Sequence, residues 1–274
     1  MTKQKSRAAP WIEILARVGF VAKGFLYGAI GVLAGCAGLR RGGETTDTRG
    51  AMAKLVGLPF GRPLLVALAL GLVGYAVWRF VEGIADPDDR GNDAKGLGLR
   101  SSFVARGAIH LWLAFSALEA AMGHPSSSSG TRSEAATATA FRLPKGEWLV
   151  TIVALGIAAF GAYQLYRGAT AKLNRDVDES GVEREAGSWL IVVSRIGIAA
   201  RGAVFMAIGW LLFRAGRDHD PKQAGGIADA LNALAELGRW PFVGIAAGLI
   251  AYGVYQLLSA RYRRIRADTG PAAR

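Results

Sequence analysis

Six apolar runs divide the chain, at about 18–39, 64–85, 103–122, 148–166, 188–213 and 241–258, with polar stretches between them. Each is close to the ~20 residues that an α-helix, rising ~1.5 Å per residue, needs to cross a hydrocarbon core of ~30 Å. The runs are about twice as long as a membrane-spanning β-strand and lack strict alternation, so helices are the reading. The punctuation agrees. Arg40-Arg41-Gly42-Gly43 closes the first run, and Pro63 opens the second, at a helix turn where a missing N–H costs nothing. Asp86-Pro87-Asp88-Asp89 is a solvated stop, and Gly123-His124-Pro125 with four serines makes a flexible loop after the third run.

The runs fall into three pairs. The first of each pair opens on a cation, with a second cation and a glycine beginning six residues later: Arg17…Lys23-Gly24, Arg100…Arg106-Gly107 and Arg195…Arg201-Gly202. The second of each pair aligns on glycines ten residues apart, Gly61 and Gly71, Gly146 and Gly156, Gly238 and Gly248. Four residues on comes an aromatic (Tyr75, Phe160, Tyr252), then a second aromatic and a polar residue (Trp78-Arg79, Tyr163-Gln164, Tyr255-Gln256). Self-similarity at a fixed spacing marks a repeat architecture. The expected fold class is an all-α integral membrane protein, with six transmembrane helices as three helical-hairpin repeats. Each hairpin crosses twice, so the repeats are parallel, and a pseudo-threefold ring about the membrane normal is the simplest arrangement. The expected divisions are a basic tail at 1–16, repeats at 17–90, 97–175 and 188–264, and a tail at 265–274.

The Arg-x5-Lys/Arg-Gly starts, the Pro59-Phe60-Gly61-Arg62 lead into the second helix, and the Tyr-x2-Trp/Tyr-Arg/Gln ends carry a resemblance. Over about 17–264 the chain resembles a family of bacterial inner-membrane proteins known as domain of unknown function 1206, whose hallmark is three tandem two-helix repeats. Lys23 in place of arginine, and Pro144-Lys145-Gly146 in place of Pro-Phe-Gly, depart from the pattern. The resemblance implies the fold and an inner-membrane location, and it names no activity.

Composition fits. Half of the 274 residues are hydrophobic, yet the net charge is +12. That pairing suits apolar segments in lipid with cationic loops facing anionic headgroups. The cations form no nucleic-acid-binding motif, so the lipid bilayer, with its cytoplasmic anionic headgroups, is the expected partner and no nucleic acid is. Lys and Arg number 21 on the side of the two termini against 12 on the other, which puts both termini in the cytoplasm. A single cysteine, Cys36, excludes an intrachain disulfide. Leu33-Ala34-Gly35-Cys36 resembles a lipoprotein box, but cleavage there would remove most of the first helix, and Lys23 interrupts the required hydrophobic region.

Candidate chemistry is sparse. The inner cations Lys23, Arg106 and Arg201 have two readings: they snorkel to headgroups, or they converge on the repeat axis as an anion-binding ring. The outer cations Arg17, Arg100 and Arg195 read as headgroup anchors. Arg79 and Glu82, three apart on one helix face, read as an ion pair at the membrane edge. Gly24, Gly28, Gly31, Gly35 and Gly38 form a stripe of close helix packing, and Gly71, Gly107, Gly156, Gly202, Gly244 and Gly248 extend that role to the other helices. His110, on the face of Arg106 and aligned with Tyr27 and Phe205, reads as a packed, hydrogen-bonded ring. Ile227, Leu231 and Leu234 suggest a short helix lying on the outer membrane surface.

No spacing matches a metal site, and no cofactor, catalytic nucleophile or acid/base constellation emerges. The expectation is a structural or accessory membrane protein that binds lipids or partners through its helical faces. The alternative is a small-solute or ion pathway along the repeat axis, lined by Lys23, Arg106 and Arg201.

Overall fold

The computed structural model describes residues 10–39, 48–57, 59–86, 91–124, 129–170 and 179–262. The basic tail at 1–9, the tip at 44–47, the stop at 87–90 and the basic run from 263 lie outside the described residues. The fold is all-helical: α1 (Pro10–Leu39), α2 (Thr48–Val56), α3 (Gly61–Ile84), α4 (Ala94–Ala121), α5 (Ser129–Phe141), α6 (Gly146–Ala169), α7 (Glu179–Ala186), α8 (Trp189–Asp218), α9 (Ile227–Ala235) and α10 (Arg239–Tyr262). Among the described residues there is no strand.

Five helices, α1, α3, α6, α8 and α10, are long and apolar enough to cross a membrane. The sixth apolar run becomes α4, which is long enough, but Arg106, His110 and Glu119 interrupt its hydrophobicity. The outward faces of the long helices are apolar: Phe25, Leu70, Phe115, Ile152 and Trp210 are all exposed. In water such a surface would be untenable, whereas hydrocarbon solvates it.

Helix α3 packs on α4, α6 on α8, and α10 on α1, while α1 also packs on α3 and α8 on α10. Among the described residues α4 and α6, the two long helices of the middle repeat, do not pack along their length. Glycine makes the close contacts possible. A Cβ on Gly24 would meet Leu257 and the Gly253 carbonyl of α10, and one on Gly31 would meet Ile250 and the Ala246 carbonyl. Gly38 faces Phe242, and Gly35 has Ala246 at van der Waals distance. A Cβ on Gly202 of α8 would lie 2.8 Å from the Gly161 carbonyl of α6. Gly71 lies against Ala22, Gly107 against the Phe80 ring, and Gly248 against Ala200. At Gly28, Gly156 and Gly244 the place of a Cβ is open space. Gly28 is still approached closely, since a Cβ on Gly253 would lie 3.0 Å from its nitrogen; Gly156 and Gly244 differ from the packing expected of them.

The outer arginines also differ from expectation. Arg100 donates to the carbonyls of Gly83 and Ile84 at the end of α3, both at 2.9 Å. Arg195 donates to Gly168 and Ala169 at the end of α6, at 3.0 and 2.8 Å. Arg17 donates to Ala260 and Arg261 at the end of α10. The last carbonyls of a helix have no intrahelical donor and carry the negative end of its dipole, so a guanidinium fork satisfies two at once. These side chains therefore bind helix ends of a neighbouring repeat instead of reaching out as headgroup anchors.

At the tips, Phe60 and Lys145 take left-handed φ of 63° and 59° just before α3 and α6. The glycines that follow are required, because the carbonyls of Leu55 and Ala140 occupy the space of a Cβ on Gly61 and Gly146. Helix α9 was expected on the membrane surface; instead Ala230 and Leu231 are buried in a cluster with Ile30, Val204, Phe242 and Ala246. Covering the bundle end removes that apolar face from water as effectively as lipid would. In the first repeat α2 likewise buries Ala51 and Met52. Helix α5 begins at Ser129, the last of the four serines read as loop.

Candidate functional site

The six-residue spacing places the inner cations ~9 Å deeper along their helices than the outer arginines. At that depth their charged groups turn into the bundle. Lys23 is buried, and its Nζ donates to the Tyr75 hydroxyl at 3.1 Å while lying 4.2 Å from the ring centroid. Arg79 Nε donates to the same hydroxyl at 2.8 Å, so one phenol oxygen joins two cations. Arg79 also pairs with Glu82, as their spacing predicts, and both side chains are almost wholly buried near the end of α3. Arg201 Nε donates to the Tyr27 hydroxyl at 3.1 Å, and its guanidinium lies 4.5 Å from the Phe205 centroid and 5.0 Å from that of Tyr252. Arg106 lies 5.7 Å from both Phe103 and Phe160, and Arg201 lies 5.5 Å from the same Phe160 ring.

The rings are themselves paired across repeats. Tyr75 of α3 meets His110 of α4 with centroids 4.5 Å apart, Phe160 of α6 meets Phe205 of α8 at 5.2 Å, and Tyr252 of α10 meets Tyr27 of α1 at 4.6 Å. Each pair thus joins the second long helix of one repeat to the first of the next. Ring edges are positive and faces negative, so a cation over each face is favourably placed, by about 0.5–2 kcal/mol per contact. His110 Nδ1 donates to the Arg106 carbonyl at 2.7 Å.

Among the described residues no carboxylate pairs with Lys23, Arg106 or Arg201; the ion pair in this group is that of Arg79 with Glu82. Burying a charge without a counter-charge is costly, and π faces and phenol oxygens offset only part of that cost. Four cations and one paired carboxylate leave an interior of strong positive potential, suited to an anion with several acceptor oxygens. Lys23 and Arg79 are sealed in, whereas Arg106, Arg201 and His110 are half-buried. An apolar groove of about 520 Å³ between α1 and α10, beside Gly28 and Val254, holds none of these cations. Among the described residues no group of three or more His, Cys, Asp or Glu is placed to hold a metal ion.

Tyr75, Phe160 and Tyr252 recur at a fixed place in the repeat, but the sequence pattern assigned them no role. The signal lay in their register, since each follows a repeat glycine by four residues and so shares its helix face. Gln164 and Gln256, at the position of Arg79, are also buried, and Gln164 accepts from Arg167 at 3.3 Å.

Apolar outward faces, spans of membrane length and a cationic interior define a helical membrane protein built on repeats. The chain belongs to the family described as Domain of Unknown Function (DUF1206), whose model matches three successive segments, 18–86, 101–171 and 196–263. It is 30% identical over 267 residues to "Uncharacterized protein YxxB" of Bacillus subtilis (strain 168), an alignment covering 97% of this chain and 96% of that protein. No solved structure matches the chain.

Proposed function

We propose that the protein binds a small anion at the cationic centre formed by Lys23, Arg106 and Arg201, and offers that anion a pathway along the repeat axis. The observation that carries this reading is the gathering of three cations, none paired to a carboxylate, inside a membrane-embedded bundle. In this reading α4 is the sixth span, its polar side chains turned to the centre. The three hairpins surround one pseudo-threefold axis, a view supported by the three equivalent ring pairs and the three equivalent arginine-to-carbonyl ties. The excess of cations on one side supports a bacterial inner-membrane location with both termini cytoplasmic. The reading assigns no catalysis, no cofactor and no nucleic-acid partner.

Proteoliposomes loaded with phosphate test it. The wild-type protein is expected to release the anion faster than protein-free vesicles, and Arg106→Ala and Arg201→Ala each to reduce that release. Flux unchanged in both variants removes these residues from the function. A purely structural or accessory role is the second reading, favoured by the arginine ties, which lock repeat to repeat. It gains if wild-type flux equals that of empty vesicles while Arg100→Ala and Arg195→Ala dissociate the fold.

A further inference from the structure

The opening between α4 and α6 shows how the centre is reached and by what. Every other successive pair of long helices around the bundle, α3 with α4, α6 with α8, α8 with α10, α10 with α1 and α1 with α3, is packed. Among the described residues only α4 and α6 are not packed closely along their length, and both carry faces open to lipid: Ile109 and Phe115 of α4, and Ile152 and Tyr163 of α6, are exposed. Arg106 stands between them. It is half-buried, approaches Phe160 on the far side, and its guanidinium makes no hydrogen bond among the described residues. Gly156, one turn before Phe160 and so on the same face, has nothing within 4 Å of its missing Cβ.

A second cation sits on that face. Arg167 follows Phe160 by seven residues, two turns and ~10 Å nearer the cytoplasmic end of α6. Its Nη1 donates to Gln164, and its Nη2 is buried with no hydrogen-bond partner. A buried guanidinium nitrogen without an acceptor is a costly arrangement that an anion removes. Two arginines with free donors, at the mouth and partway in, flanked by apolar side chains, match a phosphate carried on a hydrocarbon tail.

Building on the anion-binding reading above, we infer that the ligand is the phosphate headgroup of an anionic membrane lipid. It enters sideways between α4 and α6, is held by Arg106 and Arg167, and leaves its acyl chains along the exposed faces of those helices. Charge complementarity favours a net-negative lipid over a zwitterionic one, whose choline or ethanolamine group would meet the same cations.

The test uses the full chain in a non-ionic detergent. Native mass spectrometry counts bound phosphatidylglycerol and, as the zwitterionic control, phosphatidylcholine; calorimetry with inorganic phosphate reports on the centre itself. Wild-type protein is expected to retain phosphatidylglycerol in preference to phosphatidylcholine. Arg167→Gln is expected to weaken phosphatidylglycerol binding roughly tenfold, the order of one charge-assisted hydrogen bond. Gly156→Phe, which fills the space beside Phe160 and leaves every cation in place, is expected to do the same and yet to bind inorganic phosphate as wild type does. Thermal melting of Gly156→Phe checks that it is folded. If neither variant changes phosphatidylglycerol binding, or both lipids bind alike, sideways admission of an anionic lipid is overturned while the anion site stands. If inorganic phosphate binds equally to wild type and to Arg106→Gln/Arg201→Gln, the anion site falls, and this inference with it.

Discussion

At the scale of single residues, the interior charges are the most exacting feature. Glu82 is the carboxylate partner of Arg79 in a place almost free of solvent. Removing one member of a buried pair leaves the other uncompensated, at a cost of about 3–5 kcal/mol. Glu82→Gln is therefore expected to lower the melting temperature sharply, while Arg79→Leu/Glu82→Leu, which removes both charges, is expected to recover most of it. A melt of the two variants in detergent checks the difference; equal losses would mean that packing and not charge is the issue. The same logic explains the Tyr75 hydroxyl, which accepts from Lys23 and Arg79 together. Ion-pair spacing at Arg79 and Glu82 was legible in the sequence, because three residues bring two side chains to one helix face. Burial of that pair was not, because it depends on α1 and α4 closing over it.

At the scale of elements, glycines decide how near two helices come, and position in the sequence does not reveal which do so. Gly202 and Gly244 look alike as small residues in apolar helices. A side chain on Gly202 would collide with the backbone of α6, whereas one on Gly244 meets open space. Gly202→Val is expected to destabilise by about 1–3 kcal/mol through overpacking of α6 on α8. Gly244→Ala is expected to be neutral or slightly stabilising, since alanine is the better helix former. Thermal melts of both variants distinguish the two sites. The helix runs themselves were legible because their length and hydropathy are local properties. The pairing of α10 with α1, from opposite ends of the chain, was not, since no local pattern records it.

At the scale of the whole molecule, the repeats are tied at both ends. On the side of α3, α6 and α10 ends, arginines bind free carbonyls. At the other end His219, just past α8, hydrogen-bonds Glu147 at the start of α6 and stacks on Phe141 with centroids 5.9 Å apart. The hydrogen bond to Glu147, and secondarily its charge, raise the pKa of His219 above its ordinary value. A raised folded pKa means that protonated His219 stabilises the fold. That contribution is complete below the unfolded value of about 6.5 and is lost as pH rises through the higher folded value. The melting temperature of the wild type, relative to Glu147→Gln, is expected to be higher at pH 5.5 and to converge with it by pH 8.5; a pH-independent difference refutes the tie. The topology is also testable: green fluorescent protein fused after Arg274 is expected to fluoresce in cells, and a dark but membrane-inserted fusion places that terminus outside.

The long helices, the three repeats and the positions of the cations within them are legible in the residues alone. These follow from local hydropathy and from self-similarity, both readable without knowing what touches what. Where the cations point depends on packing between helices. Both snorkelling and convergence are compatible with a cation six residues into an apolar helix, because the long, flexible side chain reaches either way. The direction is fixed by rings supplied from other helices: Tyr75 for Lys23, Phe160 for Arg106, and Tyr252 with Tyr27 for Arg201. The gap between α4 and α6 is likewise a property of packing, since it is made by a contact that the middle repeat leaves unformed.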